Sequence, residues 1–402
     1  MVKIDEIKKA REFLKKTILP TSIARCPPSF EISGTEIFFK RENEQLTGSF
    51  KIRGAMNKMN SLSPDERKRG VVASSAGNHA QGVAFAAKAL GVQAHIVMPV
   101  ASPIVKINAT VSYGAEVILK GDVYDEAFAH AKELEKEQGY VFVHPFQDPF
   151  VIAGQGTIGL EILEAIPDLD SLVIPIGGGG LISGIAIAAK ALKPSIRIIG
   201  VVSDQAPAMM CLWKGQAEKP ARKKISTIAE GIAIKNPSRE MFETYIKNLV
   251  DEVVEVDDNQ IAQAIVFLLE RGKTVTEGAG AAGFAALMAK GAELKLGKKT
   301  CVVLCGGNID MNLMAKVIER GLRREHRLAR LNVIADDMPG NLNRITTVMA
   351  EQRANILEVY HDRVSPELGI RETRIDLLIE TASDEHIEQI HQALKAQGFR
   401  II

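Results

Sequence analysis

The chain has 402 residues, 46% of them hydrophobic and 25% charged, with a formal net charge of +1 and few aromatics. That length exceeds one compact core, so roughly two or three domains are expected. The balanced charge offers no basic face for nucleic acid, and the scarce aromatics offer no base-stacking platform. Four cysteines without metal-ligand spacing are too few for a disulfide framework and suit a reducing, cytoplasmic setting.

Residues 1–16 carry the pattern of a charged amphipathic helix rather than the apolar core of a signal peptide, and a Pro-rich loop follows. No run approaches the roughly 20 apolar residues of a membrane span, so no membrane partner is expected. A β-like run at 36–40 and a polar loop lead to Gly48-Ser49-Phe50-Lys51-Ile52-Arg53-Gly54-Ala55. This stretch opens a helix over 52–59, with Ser49 as candidate N-cap. Lys51 then falls in the first turn, where unpaired amides and the positive end of the helix dipole favour a neutral amine, and Arg53 adds like charge. A neutral lysine amine is what Schiff-base chemistry needs; an ordinary solvated lysine is the alternative.

A short buried strand at 70–73 ends in Ser74-Ser75-Ala76-Gly77-Asn78-His79, and an Ala-rich helix follows over 80–90. This turn carries hydroxyls and an amide but no cation, which fits a small carboxylate better than a polyphosphate. His79 reads as a packing residue rather than a proton carrier. Strands at 95–100, 116–119 and 140–143 alternate with helices at 104–113 and 124–138, which implies βαβ units and a parallel sheet. A second alternating series runs through a helix at 158–165, strands at 172–176 and 196–202, a polar excursion at 214–220, helices at 258–271 and 279–290, and a strand at 300–304.

Between the strand at 172–176 and a helix at 181–192 lie Gly177-Gly178-Gly179-Gly180, followed by Leu181. Glycines there let backbone amides reach an anion at a helix N-terminus. No Gly-Lys-Ser/Thr follows, so it is not a Walker A loop. Asp204 stands near where a dinucleotide ribose acceptor would, so nicotinamide competes with a phosphate ester, and a simple flexible turn is the third reading. Cys305, at the end of the strand at 300–304 and before Gly306-Gly307-Asn308, is read either as a nucleophile or as a neutral hydrogen-bonding group.

Together these motifs, with Tyr113-Gly114-Ala115-Glu116-Val117 and Gly154-Gln155-Gly156-Thr157, resemble the threonine dehydratases of the fold-type-II (tryptophan synthase β-like) pyridoxal-phosphate family. The resemblance implies an α/β chain with two parallel-sheet βαβ subdomains. The large one is expected at about 1–50 and 144–322, and the small one at about 51–143. It implies that Lys51 carries pyridoxal 5'-phosphate, Phe50 packs near the ring, Asn78 bonds the ring hydroxyl, and the amides of Gly177 to Leu181 hold the phosphate. Ser75 through His79 would receive the substrate carboxylate, and Cys305 would face the pyridine nitrogen where many relatives have serine. Glu230 and Glu277 match acidic positions near the cofactor or a cation, with a structural carboxylate as the alternative for each; a metal ligand set is not assigned.

The implied reaction removes water from threonine, and from serine, to release 2-oxobutanoate or pyruvate with ammonia. A related pyridoxal enzyme such as a serine racemase, or a non-catalytic amino-acid sensor, is the alternative. A basic connector at 323–330 precedes β-α-β-β-α-β over 331–402, a ferredoxin-like α+β unit. Its turn at Asp337, Met338, Pro339, Gly340, Asn341 and Leu342 resembles the opening of an ACT domain, an amino-acid-sensing module. Isoleucine or valine is the expected effector and a homodimer or homotetramer the expected assembly; a merely structural dimerisation unit is the alternative.

Overall fold

The computed structural model describes residues 1–216 and 225–402. These form two compact units, Met1–Ile309 and Asp310–Ile402. The first contains two sheets. One is six-stranded, in the order β1 (Ile23–Arg25), β2 (Glu36–Arg41), β10 (Lys299–Leu304), β7 (Ser171–Pro175), β8 (Arg197–Ser203), β9 (Glu252–Val256), parallel except for the antiparallel edge strand β1. The other is four-stranded and wholly parallel, in the order β5 (Glu116–Leu119), β4 (Ala94–Met98), β3 (Val71–Ser74), β6 (Val141–Phe142). Strands β3, β4 and β7 are buried along their whole length, as continuous apolar runs in a parallel sheet covered by helices must be.

The helix Pro149–Ala165 organises the first unit. Asp148 caps it by accepting from the amides of Phe150 and Val151 at 2.8 and 3.2 Å, and Pro149 takes the first helical position. It starts well before the expected 158, because its glycines serve close contact rather than breaking the helix. A Cβ on Gly154 would lie 2.6 Å from the Arg53 carbonyl oxygen of the helix Lys51–Asn60. One on Gly156 would lie 2.8 Å from the Gly184 carbonyl oxygen of the helix Gly180–Leu192. Overpacking of this kind costs about 1–3 kcal/mol. Two helices whose N-termini carry Lys51 and the glycine bend are thereby pressed against one central helix.

Strands β1 and β9 and the helix Ala208–Trp213 were not anticipated from the sequence. The expected excursion at 214–220 is described only through Gln216; its residues 217–220 lie outside the described residues. Among the described residues no helix is long and apolar enough to cross a membrane.

The second unit opens with the helix Met311–Arg324, capped by Asp310, and continues with β11 (Leu328–Asp336), the helix Asn341–Glu351, β12 (Asn355–Asp362), β13 (Glu372–Glu380), the helix Asp384–Ala396 and β14 (Arg400–Ile401). The sheet is antiparallel in the order β12-β13-β11-β14. Leu331, Val333 and Ala335 alternate with Ile375, Leu377 and Ile379 on the face that packs against Ile345 and Ile390. The expected connector at 323–330 is mostly regular structure. Arg323 and Arg324 close a helix, where cations suit the dipole, Arg323 pairs with Glu319 one turn earlier at 2.7 Å, and Leu328 is already a buried strand residue.

Candidate active site

The loop before Lys51 is laid onto the carboxyl end of β10. Ser49 bridges to Gly306, the Phe50 amide donates to the Cys305 carbonyl at 3.2 Å, and the Gly307 amide donates to the Gly48 carbonyl at 2.8 Å. This backbone pairing takes Ser49 away from the expected N-cap role. Phe50 occupies the cap without a side-chain hydrogen bond, and the buried Ser49 hydroxyl finds no partner among the described residues.

Lys51 is the first residue of its helix, and its Nζ donates to the Pro145 carbonyl at 2.9 Å and lies 5.2 Å from the Phe50 ring centroid. Burial pushes its pKa down to about 8, against the pull of Cys305 and Glu277. Arg53 is not a cause, contrary to the expectation. It is fully buried and spent on Glu42 and Glu161, each at 2.7 Å, so its charge is neutralised on the far side of the helix.

The glycine bend lies beyond β7. Gly179 caps the helix Gly180–Leu192 with φ +91°, and the helical ladder begins where the Ser183 amide donates to the Gly179 carbonyl. Among the described residues, the amides of Gly177 through Leu181 therefore have no acceptor. Space as well as charge is reserved there. A Cβ on Gly178 would lie 2.2 Å from the Phe146 ring, and one on Gly180 would lie 2.8 Å from the Phe146 carbonyl oxygen. Phe146 thus packs on the bend while its neighbour Pro145 receives Lys51, so residues 145–146 tie the amine to the anion cradle. Sequence reading missed both, although they lie just past the carboxyl end of β6, where ligands of α/β sheets gather.

At the end of β3, the Ser75 amide donates to Val97 and the Ser75 hydroxyl accepts from the Gly77 amide at 3.1 Å. The amides of Ala76, Asn78 and His79 find no acceptor among the described residues, and nothing lies within 4 Å of a Cβ built on Gly77. The loop is thus an open set of donors of carboxylate size. Ser74 is the last buried residue of the strand. His79 Nε2 lies 2.8 Å from the Val143 carbonyl, to which it donates, and burial and Lys51 push the ring's pKa down to about 3. His144 is likewise held neutral, at about 4, by burial and Lys51.

Asn78 opens the helix Asn78–Ala89; its Nδ2 donates to Glu277 at 2.7 Å and its Oδ1 accepts from Asn308 at 2.8 Å. Burial pushes the Glu277 carboxyl up to about 7, with Asn78 and Lys106 opposing. The Cys305 thiol faces the Ala279 carbonyl at 3.4 Å, and burial, reinforced by Glu277, pushes its pKa up, so it stays protonated and is no ready nucleophile. Glu230 is not drawn inside: it is mostly exposed and pairs with Lys106 at 2.6 Å. Among the described residues no group of three or more His, Cys, Asp and Glu is arranged to hold a metal ion. The effector candidates lie together in the second unit. Gly340 caps the helix Asn341–Glu351 with φ +95°, Asn341 donates to the Asp336 carbonyl, Asp337 accepts from Arg363 at 3.1 Å, and Pro339 and Leu342 are exposed.

A depressed-pKa lysine, a cradle of vacant amides sized for a phosphate, and a neutral thiol fit the donor set that pyridoxal phosphate requires. A nicotinamide dinucleotide leaves Lys51 without a role.

Comparison with known proteins agrees. The family described as "Pyridoxal-phosphate dependent enzyme" matches residues 14–306. An "L-threonine ammonia-lyase" of Thermotoga maritima is 47% identical over 402 residues, covering 100% of this chain and 99% of that protein. The "L-threonine dehydratase catabolic TdcB" of Escherichia coli is 43% identical over 317 residues, covering 79% of this chain and 96% of that protein. The structure of maize serine racemase superposes with a TM-score of 0.74 at 34% identity, covering 81% of this chain and 99% of that one. The chain belongs to the pyridoxal-phosphate dependent enzyme family.

Proposed function

We propose that the protein deaminates L-threonine, and L-serine, by α,β-elimination of water, giving 2-oxobutanoate or pyruvate and ammonia. The observation that carries this reading is the coupling of Lys51 to the glycine bend through residues 145–146, with Nζ on the Pro145 carbonyl and Phe146 packed on Gly178 and Gly180. The full-length match to a protein named "L-threonine ammonia-lyase" supports the substrate.

When bound, pyridoxal phosphate supplies the electron sink for charge developing at the substrate α-carbon. The chain's residues do the rest. The amides of Gly177, Gly178, Gly179, Gly180 and Leu181 would hold the phosphate, with Phe50 and Asn78 available to the ring. In the loop from Ser75 to His79, the amides of Ala76, Asn78 and His79, which have no acceptor among the described residues, receive the substrate carboxylate and orient the α-hydrogen. Lys51 Nζ, whose pKa of about 8 leaves a useful neutral fraction near physiological pH, takes the α-proton. Cys305 keeps its proton and, facing the pyridine nitrogen as the resemblance implies, would offer the coenzyme a neutral partner rather than a charge. His79 and His144, both neutral, do not compete for protons.

The serine racemase reading stays as the second, supported by the likeness to the maize enzyme. Assaying keto acid and D-serine from the same incubation separates the two. Keto-acid release from threonine that disappears in Lys51→Ala, together with the visible absorbance of the bound coenzyme, is the expected result. Undiminished release in that variant refutes the assignment.

Residues 331–402 are proposed as an ACT-like regulatory domain following a catalytic region at 1–322, with isoleucine or valine bound at Asp337, Pro339, Gly340, Asn341 and Leu342. The β-α-β-β-α-β order and the helix N-terminus at Asn341 support this. Calorimetric titration with either amino acid tests it, and absence of binding leaves the unit structural. Assembly as a homodimer or homotetramer is part of the same proposal.

A further inference from the structure

An asparagine amide is nearly symmetric in shape, so which end donates and which accepts is decided by its neighbours. At Asn78 that choice decides whether the site offers a ligand a donor or an acceptor. The chain of contacts starts at the Thr47 carbonyl, which can only accept. Asn308 Nδ2 donates to it at 2.8 Å, and so must face it. The same Nδ2 donates to Asn78 Oδ1 at 2.8 Å, which turns the Asn78 amine the other way, onto Glu277 Oε1 at 2.7 Å. Flipping Asn78 would set its amine against the amine of Asn308. Among the described residues the second Nδ2 hydrogen of Asn78 then has no acceptor.

Two glycines of the sequence motifs make room for this relay. Gly48 has φ +69°, and a Cβ on it would lie 2.3 Å from Asn308 Oδ1. A Cβ on Gly306 would lie 2.4 Å from Glu277 Oε1 and 3.1 Å from Asn78 Nδ2. Neither glycine belongs to the phosphate cradle, yet side chains at both would displace members of one hydrogen-bonded line.

We propose that Asn308 and Glu277 are positioning residues that lock the Asn78 amide as a donor toward an acceptor oxygen of the coenzyme, and that Gly48 and Gly306 are glycine so that this lock can form. The inference rests on the coenzyme reading above. It extends to Asn308 a role that its motif does not by itself specify, and gives Glu277 a task other than cation binding.

The test is titration of the coenzyme-free full chain with pyridoxal phosphate, followed by its visible absorbance. The series is wild type, Asn78→Ala, Asn308→Ala, Asn78→Ala/Asn308→Ala, Glu277→Gln and Glu277→Ala. Loss of one hydrogen bond predicts about ten-fold weaker binding for Asn308→Ala, with the absorbance band moved as in Asn78→Ala. The double variant should bind no more weakly than Asn78→Ala alone, because Asn308 acts through Asn78. Glu277→Gln keeps an acceptor and should restore the band that Glu277→Ala shifts. If Asn308→Ala fails to fold, Asn308→Asp, equal in volume and unable to donate when ionised, takes its place in the series. Multiplicative losses in the double variant, or an Asn308 variant that binds like wild type, overturn the relay while leaving the coenzyme reading intact. A wild-type protein that takes up no pyridoxal phosphate overturns both.

Discussion

Arg53 offers the sharpest test of what holds the lysine-bearing helix. Its guanidinium is fully buried and forks onto two carboxylates: Nε and Nη2 donate to Glu42 at 2.7 and 2.8 Å, and Nη1 and Nη2 donate to Glu161 at 2.7 and 2.9 Å. Thr157 accepts a further bond from Nη1 at 3.0 Å. Glu161 is pushed up by burial but held below the usual carboxylate range by Arg53 and Lys40. Arg53→Met leaves Glu42 and Glu161 with Lys40, at 3.8 and 2.6 Å, and Glu161 also with Arg11. Breaking a buried pair from one side costs about 3–5 kcal/mol, so urea unfolding at pH 7 should show a loss of that order. Replacing the two carboxylates and the buried Lys40 that pairs with both, in Lys40→Met/Glu42→Leu/Arg53→Met/Glu161→Leu, should recover most of it, because no buried charge of the cluster is then left stranded. Glu161 contributes stability that is present above the unfolded carboxylate pKa and is lost as pH falls through its lowered folded value. The gap between Arg53→Met and wild type should therefore narrow toward pH 4, where Glu161, deprived of Arg53, protonates. A loss below about 1 kcal/mol at pH 7, or a quadruple variant no better than the single, refutes the reasoning.

Further outcomes follow from the same geometry. Because burial holds the Lys51 pKa down to about 8, the coenzyme-free fold is penalised while the amine is charged, and its stability should rise from about pH 8 toward the ordinary lysine pKa. Lys51→Met should remove that pH dependence and stabilise the coenzyme-free protein at pH 7 by on the order of 1–2 kcal/mol, allowing for solvent screening; thermal melts across pH check both. Gly180→Ala drives a methyl into the Phe146 backbone and should weaken pyridoxal phosphate binding by more than about ten-fold in an absorbance titration, whereas an unchanged affinity removes the bend from the site.

What was legible in the sequence was whatever is local to a stretch of chain. Strand, bend and helix around Gly177–Gly180 read correctly because buried parallel strands are continuous apolar runs and the bend is all glycine. The ferredoxin-like order after Leu328 was legible from the succession of β-like and helical stretches, although Val333-Ile334-Ala335 on β11 and Leu377-Leu378-Ile379 on β13 break a two-residue alternation. Contacts made across the fold were not legible. Arg53 reads as a charge beside Lys51 until Glu42 and Glu161 are seen to absorb it. Ser49 reads as a cap until Gly306 claims its backbone. Gly154 and Gly156 read as lying ahead of a helix that begins at 158, and only the neighbouring helices show them to be contact points within it. Residues 145–146 carry no pattern of their own, and Asn308, though part of a motif, acquires its specific role through what it touches.

The central claim is a covalent one, and reduction of the yellow protein with borohydride followed by peptide mass mapping tests it most directly. The account predicts a single pyridoxyl phosphate adduct on the peptide bearing Lys51. An adduct on a different lysine, or none at all, contradicts it.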